Sequence, residues 1–353
     1  MGSIDAEPPK PWIETPLIHS IPLSNAAGCN IFLKLENLQP SGSFKSRGVG
    51  NMMFRAAAAH PSKDVHFYCS SEGNAGLACA TTALTLGRNA TIVVPLTASP
   101  LVMARLRSLG ASVVQQGRNW PEADAFLRQE FLSPTAASTN TFPVYVPPFN
   151  HPDVWSGAAT LIDELAAQTP VGVPIDALVC SVGGGGLLNG VMQGLERHGK
   201  FLGRGGRPPS VLAVETVGAD SLHASVLAGA HVTLPGITSI ATSLGATRVS
   251  DRTWAWATTN RENLVSATVS DADAAMACVR FLQDARILVE PACGATLAPA
   301  YNGDLRRRVG CGLEDEEWAA RNVVLVVCGG SNAGLDALVG YKERYGKECG
   351  FYP

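Results

Sequence analysis

An apolar run, Ala177-Leu178-Val179-Cys180, passes through Ser181-Val182 into four consecutive glycines, Gly183 to Gly186, before a helical pattern opens at Leu187. No other stretch limits the possible folds so strongly. A short, continuous apolar strand is buried on both faces, and such strands belong to parallel sheets whose crossovers are helices. Four glycines carry an entropic cost that a simple turn does not require. They let backbone approach an anion closely, and the free N–H groups and dipole of a helix start favour a phosphate. The spacing fits neither Gly-x-Gly-x-x-Gly nor the Walker pattern with its Lys-Ser/Thr, which argues against dinucleotides and nucleoside triphosphates. A tight turn without a ligand is the alternative reading.

The same rhythm recurs along the chain. Residues 31–35, 65–69, 91–94, 112–114, 211–214 and 323–327 read as strands, and 45–59 and about 74–86 as helices, with Gly110 as a helix stop. Strands alternating with helices predict an α/β protein with parallel sheets covered on both faces and right-handed crossovers. Pro40-Ser41-Gly42 and Pro143, Pro147 and Pro148 punctuate the chain at two places. They predict a small α/β domain, 38–146, inserted into a large one made of 1–37 and 147–353. Residues 203–209 and 301–317 read as surface loops or frayed helix ends.

Composition excludes several classes. With 353 residues and 46% hydrophobic content the chain can bury a large core. A net charge of −3 without a basic block lacks the footprint of a nucleic-acid binder. No apolar stretch approaches the roughly 18 residues of a membrane span, and the first residues lack the apolar core of a signal peptide. The nine cysteines fall mostly in apolar patterns (Cys69, Cys79, Cys180, Cys278, Cys328), as expected of reduced, packed thiols in a cytoplasmic protein. Neither Cys-x-x-Cys nor His-Glu-x-x-His occurs, so zinc is not expected.

Two further segments carry chemistry. Lys45, in Ser43-Phe44-Lys45-Ser46-Arg47-Gly48, stands between an aromatic ring and glycine-rich backbone. Burial disfavours an ammonium and lowers its pKa, so this is a candidate amine for a Schiff base. Ser70-Ser71-Glu72-Gly73-Asn74 sits at another strand-to-helix turn, where a Ser/Asn helix cap is the plain reading. His151 and His223 stand alone and are given no catalytic part.

With Val327-Cys328-Gly329-Gly330-Ser331-Asn332, these segments in this order resemble the serine/threonine dehydratases among the fold-type II pyridoxal phosphate (PLP) enzymes. The chain is most similar to L-serine dehydratases of the cytosolic type. The likeness runs from about Thr15 to Tyr341 and includes Pro147-Pro148-Phe149, Ile237-Thr238-Ser239 and Glu290-Pro291-Ala292-Cys293-Gly294-Ala295. It implies a tryptophan synthase β-like fold of two domains, parallel-rich twisted sheets covered by helices, and a homodimer. Lys45 would bind PLP and, once displaced by the substrate amine, remove the Cα proton, with Phe44 packed beside it. Gly183, Gly184, Gly185, Gly186 and Leu187 would hold the phosphate, and Asn74 the 3′-oxygen. Ser71, Gly73 and Asn74 would hold the carboxylate of a small amino-acid substrate. Cys328 would face the pyridine nitrogen; a thiol protonates that nitrogen weakly, which suits β-elimination better than transamination. Glu215 with the carbonyls of Ala219, Leu244 and Ala246 would bind a monovalent cation, K+ by its preference for hard oxygen ligands, unless Glu215 only caps a helix.

The implied reaction is dehydration and deamination of L-serine, and of L-threonine, to a 2-oxo acid and ammonia. Alternatives are a PLP-dependent amino-acid racemase, a β-replacement enzyme on an unusual amino acid, and a PLP-fold protein acting by binding. Glu72 departs from the family, which has Ala or Gly there in serine dehydratases and Ser in threonine dehydratases and serine racemases. Pointing inward, its carboxyl is expected above the reference of about 4.3, able to trade protons and so catalytic. Pointing outward, it would merely favour the helix dipole.

Overall fold

The computed structural model describes residues 9–133 and 141–351. Ten strands occur among them: β1 Leu17–His19, β2 Asn30–Lys34, β3 Asp64–Ser70, β4 Asn89–Val94, β5 Ser112–Gln115, β6 Thr141–Tyr145, β7 Ala177–Ser181, β8 Ser210–Thr216, β9 Leu264–Val269 and β10 Asn322–Val326. Two sheets result, ordered β5-β4-β3-β6 and β1-β2-β10-β7-β8-β9. Every pairing is parallel except β1 with β2. The fold is α/β, with helices alternating between the strands.

The chain divides into two units. One takes the described residues of Met1–Ile13, Gln39–Ser41 and Lys45–Gly157; the other takes those of Glu14–Leu38, Gly42–Phe44 and Ala158–Pro353. Residues 9–13 and 147–157 therefore group with the smaller sheet rather than with the rest of the chain, unlike the division at residues 38 and 147 expected from the prolines. Close helix packing is the cause for 152–157. A Cβ on Gly48 would stand 2.8 Å from the Val154 carbonyl oxygen, and Asn51 Nδ2 donates to Asp153 O at 2.7 Å. Pro143, read as punctuation, lies inside β6. That strand is an edge, where a missing N–H is tolerated.

In the first unit β3 is central; Val65, Phe67 and Cys69 are fully buried against Met53, Ile92 and Leu106. In the second, Leu178, Val179, Leu212 and Val323 to Val327 are fully buried. Truncating one such residue, Leu325→Ala, would cost about 2–5 kcal/mol by the usual cavity penalty. Residues 301–317 are not a loop: they contain the end of helix Pro291–Asn302, helix Asp304–Val309 and the start of Asp315–Ala319. Trp318 anchors this region, buried, with Nε1 donating to Ala27 O at 2.9 Å. No helix among the described residues is long and apolar enough to cross a membrane.

Parallel strands send their carboxyl ends to one edge, where ligands of open α/β sheets bind. In the larger sheet β10, β7 and β8 are neighbours. They lead respectively to Cys328, the glycines and Glu215. In the smaller sheet β3 leads to Ser71–Asn74.

Candidate active site

The glycine turn is shaped from behind. Gly185 has φ +92°, and a Cβ there would lie 1.8 Å from Thr253 Oγ1, so only glycine fits. Ser250 N donates to Gly184 O at 3.0 Å. Asn189 Nδ2 donates to Ser250 Oγ at 3.0 Å, and Thr253 Oγ1 donates to Asn189 Oδ1 at 2.9 Å. All three side chains are buried and mutually satisfied, which rigidifies the turn. Helix Gly186–Leu202 follows at once. The N–H groups of Gly184, Gly185 and Gly186 meet no backbone acceptor among the described residues. A row of open donors at a helix start is a phosphate site by its chemistry. Leu187 is buried in the first turn, and Leu244 lies against Gly183, where a Cβ would be 3.1 Å from Leu244 Cα.

Cys328 is buried beyond β10, its Sγ 3.6 Å from Ser181 Oγ. A hydrogen bond with the Cys293 thiol, then burial, hold the Cys328 thiol well above the usual range, so it keeps its proton. Cys328 O accepts from Phe44 N at 3.1 Å, and Gly42 O accepts from Gly330 N at 3.0 Å. This pairing fixes the segment 42–44 immediately before Lys45, with Phe44 packed on the larger core.

Glu215 is fully buried near the end of β8. Burial pushes its carboxyl up to about 8, against the pull of two backbone donors. Those donors are Leu222 N on Oε1 at 2.9 Å and His223 N on Oε2 at 2.7 Å, so Glu215 does hold the start of helix Ser221–Ala228. Ala219 turns back onto Thr216, and Leu244 O already accepts from Ala246 N at 2.7 Å. His223 bonds through its ring to Ser266 Oγ at 3.1 Å, a packing role. His151 Nδ1 accepts from Asp153 N at 3.1 Å.

In the first unit Lys45 opens helix Lys45–Ala59. It is half-buried rather than buried, with Nζ donating to Pro148 O at 2.5 Å. The preceding turn is tied by Ser41 N to Ser46 Oγ at 3.1 Å. After β3, Gly73 N donates to Ser71 Oγ at 3.3 Å, and Gly73 caps helix Asn74–Leu86. Gly76 must be glycine, because a Cβ would stand 1.9 Å from Ser71 O. Asn74 is buried; Glu72 is half-buried, and that burial raises its carboxyl above the ordinary range. The supports of the glycine turn, Asn189, Ser250 and Thr253, carry no signal in the sequence.

At neighbouring strand ends of the larger unit, a row of open N–H groups and a protonated thiol suit a phosphate-bearing cofactor. Residues 10–329 match the pyridoxal-phosphate dependent enzyme family, and the chain belongs to that family. It is 41% identical over 336 residues to an L-serine dehydratase/L-threonine deaminase of Bos taurus, covering 95% of this chain and 96% of that protein. It is 43% identical over 337 residues to a serine dehydratase-like protein of Homo sapiens, with 95% of each covered. Among solved structures, a fungal L-serine ammonia-lyase from Rhizomucor miehei superposes with a TM-score of 0.82 at 34% identity, covering 95% of this chain and 99% of that one. The residues present suit the cofactor's chemistry: the larger unit offers open N–H groups for its phosphate and a neutral thiol, and the smaller unit offers a primary amine.

Proposed function

We propose that this protein dehydrates and deaminates L-serine, and also L-threonine, yielding a 2-oxo acid and ammonia. The observation that carries this reading is likeness along the whole chain to an L-serine dehydratase/L-threonine deaminase, with Lys45 and the open glycine turn intact. Bound pyridoxal phosphate supplies an electron-withdrawing system that makes the substrate's Cα proton acidic. Lys45 Nζ takes that proton as a general base, and the β-hydroxyl leaves with a proton as water. The enamine released after elimination tautomerises and hydrolyses to the 2-oxo acid and ammonia. Gly183 to Gly186 and Leu187 would hold the phosphate, Phe44 would flank Lys45, and Asn74 would bind the 3′-oxygen. Ser71 and Gly73, with Asn74, orient the substrate carboxylate. Cys328, keeping its proton, would face the ring nitrogen and leave it largely neutral. Glu215 with the carbonyls of Ala219, Leu244 and Ala246 binds K+. Glu72 holds or gives a proton near the carboxylate turn. The working form is a cytoplasmic homodimer.

A panel of serine, threonine and other β-substituted amino acids tests this reading, scored for keto acid, racemisation and new amino acid. Keto acid from L-serine is expected to dominate. Inversion at Cα without keto acid would replace the dehydratase by a racemase.

A further inference from the structure

Ser70 closes β3 and directly precedes the turn 71–74. Its carbonyl and its hydroxyl are both engaged by one helix, Trp120–Phe131. Its carbonyl accepts from Trp120 Nε1 at 2.6 Å, and its hydroxyl donates to Asp124 Oδ1. Asp124 is itself held from two more sides. Its Oδ1 accepts from Tyr145 OH at 2.7 Å, and its Oδ2 accepts from Arg128 Nε at 2.7 Å. Arg128 lies over the Tyr145 ring at 3.9 Å, and Tyr145 pairs with Tyr68 of β3. Burial alone would raise the Asp124 carboxyl, yet the bonds from Arg128, Ser70 and Tyr145 outweigh it and hold the group below its usual range. Asp124 is thus an ionised, nearly buried acceptor, and hydrogen bonds to charged acceptors are the strong ones.

Core filling does not explain this arrangement. Trp120 is 44% exposed, so its ring adds little buried area while its N–H is spent on one carbonyl. The strand ends at Ser70, where Trp120 Nε1 and Asp124 grip its carbonyl and its hydroxyl. Within the turn that follows, Gly73 N donates to Ser71 Oγ at 3.3 Å, and Ser71 O lies against Gly76. The bonds at Ser70 thus hold the base from which 71–74 leave the sheet.

We infer that Asp124 and Trp120 are positioning residues for substrate binding: by clamping Ser70 they aim the turn Ser71–Asn74 at the substrate carboxylate. This rests on the reading above that the turn holds that carboxylate. Neither residue touches substrate; both act through Ser70. A residue that only stabilised the fold would lower the melting temperature without changing the substrate dependence.

The holoenzyme carrying Asp124→Asn, Ser70→Ala or both separates these cases, because Asn keeps the shape of Asp and Ala at 70 removes the other end of the same bond. Each single variant is expected to raise KM for L-serine about tenfold with kcat within about threefold, the scale of one bond to a charged group. The double variant is expected to be no worse than either single one, as for two residues acting as a unit. Trp120→Phe is expected to give a smaller rise, about threefold, for a bond to a neutral carbonyl. Hydrogen exchange in the peptide covering 71–76 is expected to quicken in all these variants, with that in 186–202 unchanged. Unchanged exchange at 71–76 in Asp124→Asn, or effects that add in the double variant, overturns the clamp. A wild type that makes no keto acid from L-serine overturns the dehydratase reading instead, and the exchange result then decides the clamp without it.

Discussion

The residues proposed for the site take different forms in the two units. In the first they are side chains at the starts of helices: the Lys45 amine, the Ser71 hydroxyl, the Glu72 carboxyl and the Asn74 amide. In the second they are mostly backbone: the N–H groups of the glycine turn and the carbonyls of Ala219, Leu244 and Ala246. Its two polar side chains of note are both restrained, Cys328 by keeping its proton and Glu215 by two backbone donors. A phosphate is the same whatever the substrate, so rigid backbone packed from behind by Thr253 can bind it. Reaction and substrate are selected by side chains, which can change without rebuilding a turn. Glu72 is a side chain of the exchangeable kind, whereas Gly185 has no replacement that fits.

Lys45→Ala gives the largest effect that follows from this contrast. Turnover is expected to fall by about 10⁴-fold, the upper range for a general base, while the phosphate turn continues to bind cofactor. Borohydride reduction of the wild type, followed by peptide mapping, is expected to place the cofactor on Lys45; a label on Lys63 or Lys34 would refute the assignment. Gly185→Ala should act in the opposite way. A left-handed alanine overlapping Thr253 Oγ1 is expected to weaken cofactor binding roughly 100-fold, read by titration of the visible band. Excess cofactor restores most of kcat, and adding Thr253→Ala recovers part of the affinity. If Gly185→Ala lost kcat at saturating cofactor and kept affinity, the division between backbone and side-chain roles would be broken.

The same contrast explains what could be read from the sequence. Both strand-to-helix turns were legible because a continuous apolar run stops at small residues, a local pattern with a local cause. The helix 45–59 was legible for the same reason. Their supports were not: Asn189 and Thr253 are 64 residues apart, and Trp120 grips Ser70 across 50, so no spacing announces either contact. β1 carries no such signal, being three residues of which one is half-buried and two are exposed. The helix Asp315–Ala319 did have a signal, the capping box of Glu314 and Glu317, which lay in a stretch too charged to suggest buried structure. The half-burial of Lys45 was not legible, since an aromatic neighbour in sequence need not cover the amine.

Glu215 sharpens the contrast from the other side, as a carboxylate serving a backbone site. Activity is expected to be about tenfold higher in potassium than in a bulky organic cation at matched ionic strength, as binding to the folded form would give. Glu215→Ala should lose that response, with some loss of stability because helix Ser221–Ala228 loses its anchor. Equal rates in both salts would leave Glu215 as the anchor alone.

The smallest expected effect is at Glu72, and it tests whether such a side chain is exchangeable as argued. Burial raises this carboxyl, so the folded state holds its proton more tightly than the unfolded chain does. The stability associated with the neutral form is fully present below the unfolded pKa and is lost as pH rises through the higher folded value. Glu72→Gln, neutral throughout, is expected to flatten a slight fall in melting temperature over that window. The window is short because the group is half in solvent, and the shift should be a fraction of that produced by Gly185→Ala. On activity, Glu72→Ala is expected to change the ratio of kcat/KM for threonine over serine by about threefold, the scale of a modest pocket change, with the visible cofactor band intact. Where the protonated carboxyl also serves the second face of Cα, deuterium exchange at Cα slows in the variant, and in the wild type it declines as pH rises past the raised pKa. Unaltered ratio, exchange and pH dependence together would make Glu72 an outward-facing bystander at a helix start, and tolerance of change in that turn would then say nothing about selectivity.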